Sequence, residues 1–232
     1  MNKYIYKTNT QKGVLIAFEG ISGSGKSESI TKIYNHLSKQ NNVQIVEWNS
    51  NEKIRSFIKV LCNYKVLTST IYSILQWISF FIDYFTRILP ALNKGNIVIA
   101  DRYVYTALTR DIVNGAKVVP SKYLCSLVRK PDILFFYDTN CELCYERILT
   151  RGKALFHTNK YIKCSKLLKN KNLYYLKKLR GEYIKLLQKS SIIGQTNVVI
   201  VKNDELNVIK ILDQYLKLKY GENFKSQEQF IN

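Results

Sequence analysis

The chain has 232 residues, with 46% apolar and 12% aromatic side chains and only ten glycines and three prolines. This suits one ordinary domain with its own core and excludes a collagen-like, low-complexity or wholly disordered chain. Lys and Arg number 36 against 17 Asp and Glu, a formal charge of +19, so polyanions such as nucleotides, nucleic acid or an acidic membrane are the expected attraction. The five cysteines are odd in number and scattered, which points to a reducing compartment rather than a disulfide scaffold. The lone Cys141–Cys144 pair lacks the second pair that a zinc site needs. The opening MNKYIYKTNTQK contains no apolar run, so no secretory signal is expected.

In chain order, Val14–Phe18 is a short apolar strand that ends in a glycine-rich turn. A helix follows over Glu28–Lys39, with Ile30, Ile33, Tyr34 and Leu37 on one face, then a β-branched strand at Val43–Val46. Two helical stretches, 51–62 and 70–93, lead to a strand at Ile97–Ala100. Helices over 104–114 and 120–129 precede a strand at Ile133–Tyr137. Helical patterns at 140–151 and, rich in lysine, at 171–190 lead to a last strand at Asn197–Val201 and a helix over 204–219. Fully apolar strands separated by helices predict an α/β fold: one doubly wound five-stranded parallel sheet with helices on both faces. The domain is expected over residues 13–219, with polar tails at 1–12 and 220–232. The segment Ile71 to Phe85 is strongly apolar, but Gln76 and Asp83 interrupt it, and it falls short of the roughly 20 apolar residues that a membrane span needs.

Gly20-Ile-Ser-Gly-Ser-Gly25-Lys26-Ser27 fits GxxxxGK[ST], with a strand before it and a helix after it. In such a loop the backbone N–H groups of Gly20, Ser22, Gly23, Ser24 and Gly25 turn inward around a phosphate, and the helix adds the positive end of its dipole. Lys26 can reach the β- and γ-phosphates, and the Ser27 hydroxyl can ligate Mg²⁺. Asp101 closes an apolar strand, the place where a phosphate-loop protein holds its metal shell, and Arg102 follows directly.

With these residues in hand, the chain resembles the thymidylate kinase family. FEGISGSGKS resembles the family's opening, and Leu89-Pro90-Ala91-Leu92, Gly95 and Val98-Ile99-Ala100-Asp101-Arg102-Tyr103 resemble its central block. Pro131-Asp132-Ile133, Tyr137-Asp138, Glu146-Arg147-Ile148 and Arg151-Gly152 resemble its strand, helix and lid entry, and the likeness covers about residues 13–215. It implies ATP-dependent phosphoryl transfer to a nucleoside monophosphate (dTMP and ATP giving dTDP and ADP), with Mg²⁺ held through Ser27 and Asp101. By the same resemblance Lys26 holds the donor phosphates, Arg102 grips the acceptor monophosphate and Arg147 lies near the donor base. Arg151, with Lys153 beside it, enters a lid, expected as an insert at about 152–170. Glu47 and its neighbours to Ser50, together with Gln76 and Phe80, would face the acceptor. The implied protein is a cytoplasmic homodimer that acts on a small nucleotide, not on a nucleic acid or a membrane.

Three positions depart from the family. Ser22 stands where the family carries an acid near the acceptor sugar, Ser79 and Phe80 stand where it carries Asp-Arg, and Gln76 stands where an aromatic stacks on the base. Gln76, Ser79, Phe80, Asp83 and Arg87 still recur at spacings of three and four, so they share one helix face, with Ile71, Ile74, Leu75, Ile78, Ile82, Phe85 and Leu89 on the other. Arg110 and Asp111 follow Arg102 closely enough to reach the same cleft. A kinase for a nucleoside or another small metabolite, and a degenerate kinase that binds nucleotide or polyanion without transfer, therefore stand beside the leading reading. Residues 151–190 carry twelve Lys or Arg and one acid, a formal +11, which suits a phosphate-closing lid near Arg151 and a solvated helix beyond it.

Overall fold

Five strands, β1 (Val14–Gly20), β2 (Val43–Glu47), β3 (Ile97–Asp101), β4 (Ile133–Tyr137) and β5 (Asn197–Val201), pair in parallel in the order β2-β3-β1-β4-β5. The structure is a computed structural model that describes residues 12–116, 119–152, 155–189, 193–202 and 205–221. Lys153 and most of the two tails lie outside the described residues.

The central strands β1 and β4 are buried along their whole length, as a sheet covered on both faces requires. Val14, Ile16 and Phe18 point to a layer made by α1 (Lys26–Leu37) and, at the other end of the chain, α10 (Glu205–Tyr220). Leu15 and Ala17 point to the larger layer. That layer takes in α3 (Ser69–Asp83), α5 (Val104–Asn114), α7 (Cys141–Thr150) and α9 (Lys171–Leu187). Shorter helices complete the chain: α2 (Glu52–Asn63), α4 (Leu89–Asn93), α6 (Ser121–Ser126) and α8 (Lys160–Cys164). The predicted doubly wound fold is therefore observed. The chain leaves β1 for β2 and β3 on one side and then crosses to β4 and β5 on the other. The crevice at the carboxyl ends of β1 and β3 is thus the switch point where such sheets bind ligands.

The predicted helix over 70–93 is a single rod with a defect. A π-helical turn at Tyr84–Ile88 joins α3 to α4, with the Leu89 N–H donating to Tyr84 O. Pro90 supplies the cause: it has no N–H, and its ring crowds the carbonyl one turn back, so the ladder widens just before it.

The same rod faces in an unexpected sense. Gln76, Ser79, Phe80 and Asp83, the mixed stripe, are buried, whereas Ile74, Ile78, Ile82 and Phe85 are 45, 46, 40 and 57% exposed. Among the described residues no helix is long and apolar enough to cross a membrane.

The segment that follows α7 differs from the patternless insert read from the sequence. His157 stacks on Tyr175 at 4.4 Å, Phe156 meets Tyr72 at 5.3 Å, and the Ser69 hydroxyl donates to Thr158 O. Asn159 donates to Val113 O and caps α8. Aromatic contacts to α3 and α9 hold these residues down, a tertiary effect that no local periodicity reveals.

Candidate functional site

The loop after β1 bends through three positive-φ glycines, Gly20, Gly23 and Gly25. A side chain at Gly23 would collide with the Cys144 carbonyl oxygen, and one at Gly20 would lie 2.8 Å from Tyr137 O, so only glycine fits at either place. The Thr139 hydroxyl donates to Ser24 O and ties the loop to the end of β4. The N–H groups of Ser22, Gly23, Ser24 and Gly25 donate to no acceptor among the described residues. Helix α1 starts at Lys26, behind a left-handed Gly25 with no side-chain cap. Uncapped N–H groups and a helix N-terminus converge here, the arrangement that receives phosphate.

Lys26 is 5% exposed, and its ammonium donates to Gly20 O at 3.1 Å, Ile21 O at 2.9 Å and Ser24 Oγ at 2.9 Å. Burial, and then the charge of Arg102, hold its pKa well below the usual lysine value. Ser27 Oγ stands 3.5 Å from Asp101 Oδ2, two hard oxygen donors of the kind that Mg²⁺ takes together with phosphate oxygens. Among the described residues no group of three or more His, Cys, Asp or Glu could hold a metal ion without such a phosphate.

Arg102 sits at φ +72°, a left-handed conformation that is costly for a side chain of its size. Its N–H donates to Phe18 O across the sheet end. One guanidinium nitrogen donates to Gly20 O at 2.8 Å and lies 3.4 Å from Thr106 Oγ1, and the other reaches Ser22 Oγ at 3.5 Å. Ser22 therefore meets Arg102. Glu47 ends β2 in register with Asp101, is exposed, and flanks the same crevice. On the opposite side, Arg147 of α7 donates to Gly23 O at 3.3 Å, and Arg151 is exposed at the C-terminus of that helix, with no partner among the described residues.

The acceptor side corrects one expectation. Phe80 is 4% exposed and enclosed by Trp48, Trp77, Phe81, Tyr84 and Tyr103. It offers no free face and instead carries Trp48, stacked on it at 5.2 Å. Gln76 accepts the Trp48 indole N–H at 2.8 Å, while its Nε2 is buried without a partner. Asp83 accepts from the Ser50 hydroxyl at 2.8 Å, and Arg87 bridges the two.

Two residues at the crevice escaped the sequence reading of roles. Glu19, fully buried, accepts from the Tyr103 N–H at 2.8 Å, the Thr106 N–H at 3.1 Å, the Thr106 hydroxyl at 2.6 Å and the Tyr183 hydroxyl at 2.9 Å. It thereby caps α5 from the neighbouring strand, where Tyr103 has no side chain able to do so. Burial raises its pKa, and the hydrogen bonds partly oppose the shift. An acid inside an apolar strand was the available signal. Arg180 of α9 clamps Asp138 at 2.6 and 3.0 Å, and nothing local marked it among the surrounding lysines. A separate cleft of about 530 Å³ between α5, α6 and α9, lined by Leu108, Tyr123 and Leu186 among others, holds none of the phosphate-loop residues.

The comparisons with known proteins agree with this geometry. The chain is 40% identical over 137 residues to the "Probable thymidylate kinase 2" of Saccharolobus solfataricus, a match that covers 59% of this chain and 64% of that protein. It is 28% identical over 214 residues to the thymidylate kinase of Mycoplasmoides gallisepticum, covering 85% and 100%. It is 31% identical over 180 residues to that of Rickettsia bellii (strain OSU 85-389), covering 69% and 84%. In fold it is similar to the thymidylate kinase of Candida albicans, with a TM-score of 0.64 and 16% identity over 90% of this chain and 93% of that one. The family model for thymidylate kinase matches residues 18–202, from inside β1 to just past β5. The chain therefore belongs to the thymidylate kinase family of nucleoside monophosphate kinases.

Proposed function

We propose that the protein transfers the terminal phosphoryl group of ATP to the phosphate of a nucleoside monophosphate, with dTMP as the acceptor and dTDP and ADP as products. The observation that carries this reading is the seat of Arg102. Its guanidinium touches the phosphate loop at Gly20 and Ser22 and the first turn of α5 at Thr106. It thus stands where a donor phosphate on the loop and an acceptor phosphate above α5 would meet.

The work of this chain is positioning and charge neutralisation, since the acceptor is already an anionic phosphate and needs no general base. The free N–H groups of residues 22–25 and the start of α1 hold the donor phosphates. Lys26 turns from its loop oxygens toward the β- and γ-phosphates, and Arg102 grips the acceptor phosphate. Ser27 and Asp101 hold Mg²⁺, which when bound supplies further neutralisation of phosphate charge. Arg147 lines the donor side, and Arg151 opens a lid over about 152–170 that excludes water as a competing acceptor.

In this reading the chain is a cytoplasmic homodimer that buries the exposed Ile74–Ile78–Ile82 face of α3. A single exposed apolar helix face of this length is uncommon on a monomer. The committed Gln76 amide and the enclosed Phe80 also favour a second reading, the same donor chemistry with a different monophosphate as acceptor.

The test is ADP formation from ATP and Mg²⁺ with a panel of nucleoside monophosphates and free nucleosides. Transfer to dTMP is expected. Transfer only to nucleosides, or ATP binding without transfer to anything, would sink the proposal.

A further inference from the structure

Arg110 is a cation for which the fold provides no counter-ion. It lies on α5, partly buried, between Tyr72 of α3 and Tyr175 and Tyr183 of α9. It has no hydrogen bond or ion pair among the described residues. The nearby acids are engaged elsewhere. Asp111 accepts from Trp77 Nε1 and the Ser121 hydroxyl, Asp83 is held by Ser50 and Arg87, and Glu19 already receives four donors. A guanidinium left with several free donors needs an acceptor from outside the chain.

Its place on the helix says which part of a ligand it would meet. Thr106, Arg110 and Asn114 follow at intervals of four and share one face, with neighbours about 5–6 Å apart. Thr106 touches Arg102. With a monophosphate held at Arg102, the row past Thr106 runs beneath the rest of the nucleotide. The side chains there have a definite polarity. Arg110 can only donate, and across the cleft the buried Gln76 Nε2 is a second donor without a partner. One turn beyond Arg110, Asn114 Oδ1 is a buried acceptor without a partner.

We propose that Arg110, with Asn114 beside it, reads the base of the acceptor and selects a keto oxygen next to a ring N–H. This inference rests on the monophosphate-kinase reading above. Thymine and uracil offer that pattern at their imide edge, and guanine offers it at O6 and N1. Cytosine and adenine present the reverse, an amino group beside a ring nitrogen acceptor. Asn114 can turn its amide to suit either order, but Arg110 cannot become an acceptor, so an amino group opposite it leaves donor facing donor in a buried site. Sites built this way reject the mismatched partner strongly, because desolvated groups are left unpaired.

The test is equilibrium binding by calorimetry of dTMP, dUMP, dGMP, dCMP and dAMP, and separately of ATP, to the full chain. Wild type should bind dTMP at least about tenfold more tightly than dCMP. Arg110→Ala should lose about ten- to hundredfold in dTMP affinity, with dCMP affinity changed little and ATP affinity unchanged. Arg110→Lys keeps the charge without the planar fork, so it should retain monophosphate binding and still lose the preference for dTMP. If Arg110→Ala fails to fold, seen as loss of ATP binding, the lysine variant decides.

A dTMP-to-dCMP ratio that survives in Arg110→Lys, or a wild type indifferent to the base, overturns the inference. So does an Arg110→Ala loss that is equal for all bases. Turnover on the same panel judges the reaction itself. An Arg110-dependent preference without transfer upholds this inference and removes the proposed function, and transfer without that preference does the opposite.

Discussion

Ser27 Oγ and Asp101 Oδ2 stand 3.5 Å apart, a hydroxyl on the first turn of α1 facing the carboxylate that closes β3. They are brought together because β1 and β3 are neighbours in register, with Phe18 opposite Asp101. Asp101→Asn keeps the shape and removes the charge. It should raise the Mg²⁺ concentration needed for half-maximal rate and lower kcat by about 10²–10³, with metal-free ATP binding unchanged. A magnesium titration of both proteins checks this, and superimposable curves would remove Asp101 from the metal shell.

Lys26→Ala should abolish measurable transfer, a loss of about 10²–10³ or more in rate, because the β- and γ-phosphates lose their main protein counter-ion. The variant also strips the donor from Gly20 O, Ile21 O and Ser24 Oγ. Thermal midpoints must therefore be compared with rates, and near wild-type turnover would sink the donor-site assignment.

His157 predicts a pH effect on stability. Burial, and then the charge of Lys163, lower its pKa from 6.5 to about 4. The unfolded chain therefore takes up a proton near pH 6.5 that the folded chain refuses until about pH 4. Its stabilisation is fully present above pH 6.5 and is lost as the pH falls through that window, by up to about 3 kcal/mol. His157→Phe keeps a ring for the stack on Tyr175 and does not titrate. Urea midpoints at pH 7 and pH 4.5 should fall less on acidification in this variant than in wild type. Equal slopes would refute the assignment.

Ile78→Glu, placed in the middle of the exposed face of α3, should convert a dimer into a monomer without unfolding the chain, since the residue is 46% exposed. Sedimentation of both proteins over a range of concentration reads the outcome. A wild type that stays monomeric at every concentration would overturn the dimer.

Charge near the lid should matter by position. Lys177 is paired with Glu142 at 2.6 Å, and Lys178 lies over the Tyr174 ring. Arg151 has no partner among the described residues. Arg151→Ala should lower kcat by at least about tenfold, while Lys177→Ala and Lys178→Ala stay within about twofold of wild type. Equal losses from all three, together with steep salt dependence of polyanion binding, would instead indicate a nucleic-acid surface.

The donor half of the site could be read from the sequence because its chemistry is local. A phosphate loop is a run of eight residues whose glycines, lysine and serine act through the backbone they belong to, and an acid ending an apolar strand marks its own place in a parallel sheet. The strand and helix periods that set the fold are local in the same sense, and all five strands lie where those periods put them. The acceptor half depends on which side of α3 faces inward. Helical spacing separated Gln76, Ser79, Phe80 and Asp83 from Ile74, Ile78 and Ile82, but it could not say that the polar row would be buried and the apolar row exposed.

Only the tertiary structure decided that. Trp48, delivered from the end of β2, takes Gln76 as its hydrogen-bond partner and Phe80 as its stacking partner, and Asp111 from α5 takes Trp77. Once those polar groups have buried partners, turning that row inward costs little, and the isoleucine row is left outside. Glu19 capping α5 from another strand, Arg180 holding Asp138 and Arg110 standing without a counter-ion are all relations between residues far apart in the chain. No residue's own neighbours in sequence determine such pairings, because they follow from how the helices pack on the sheet.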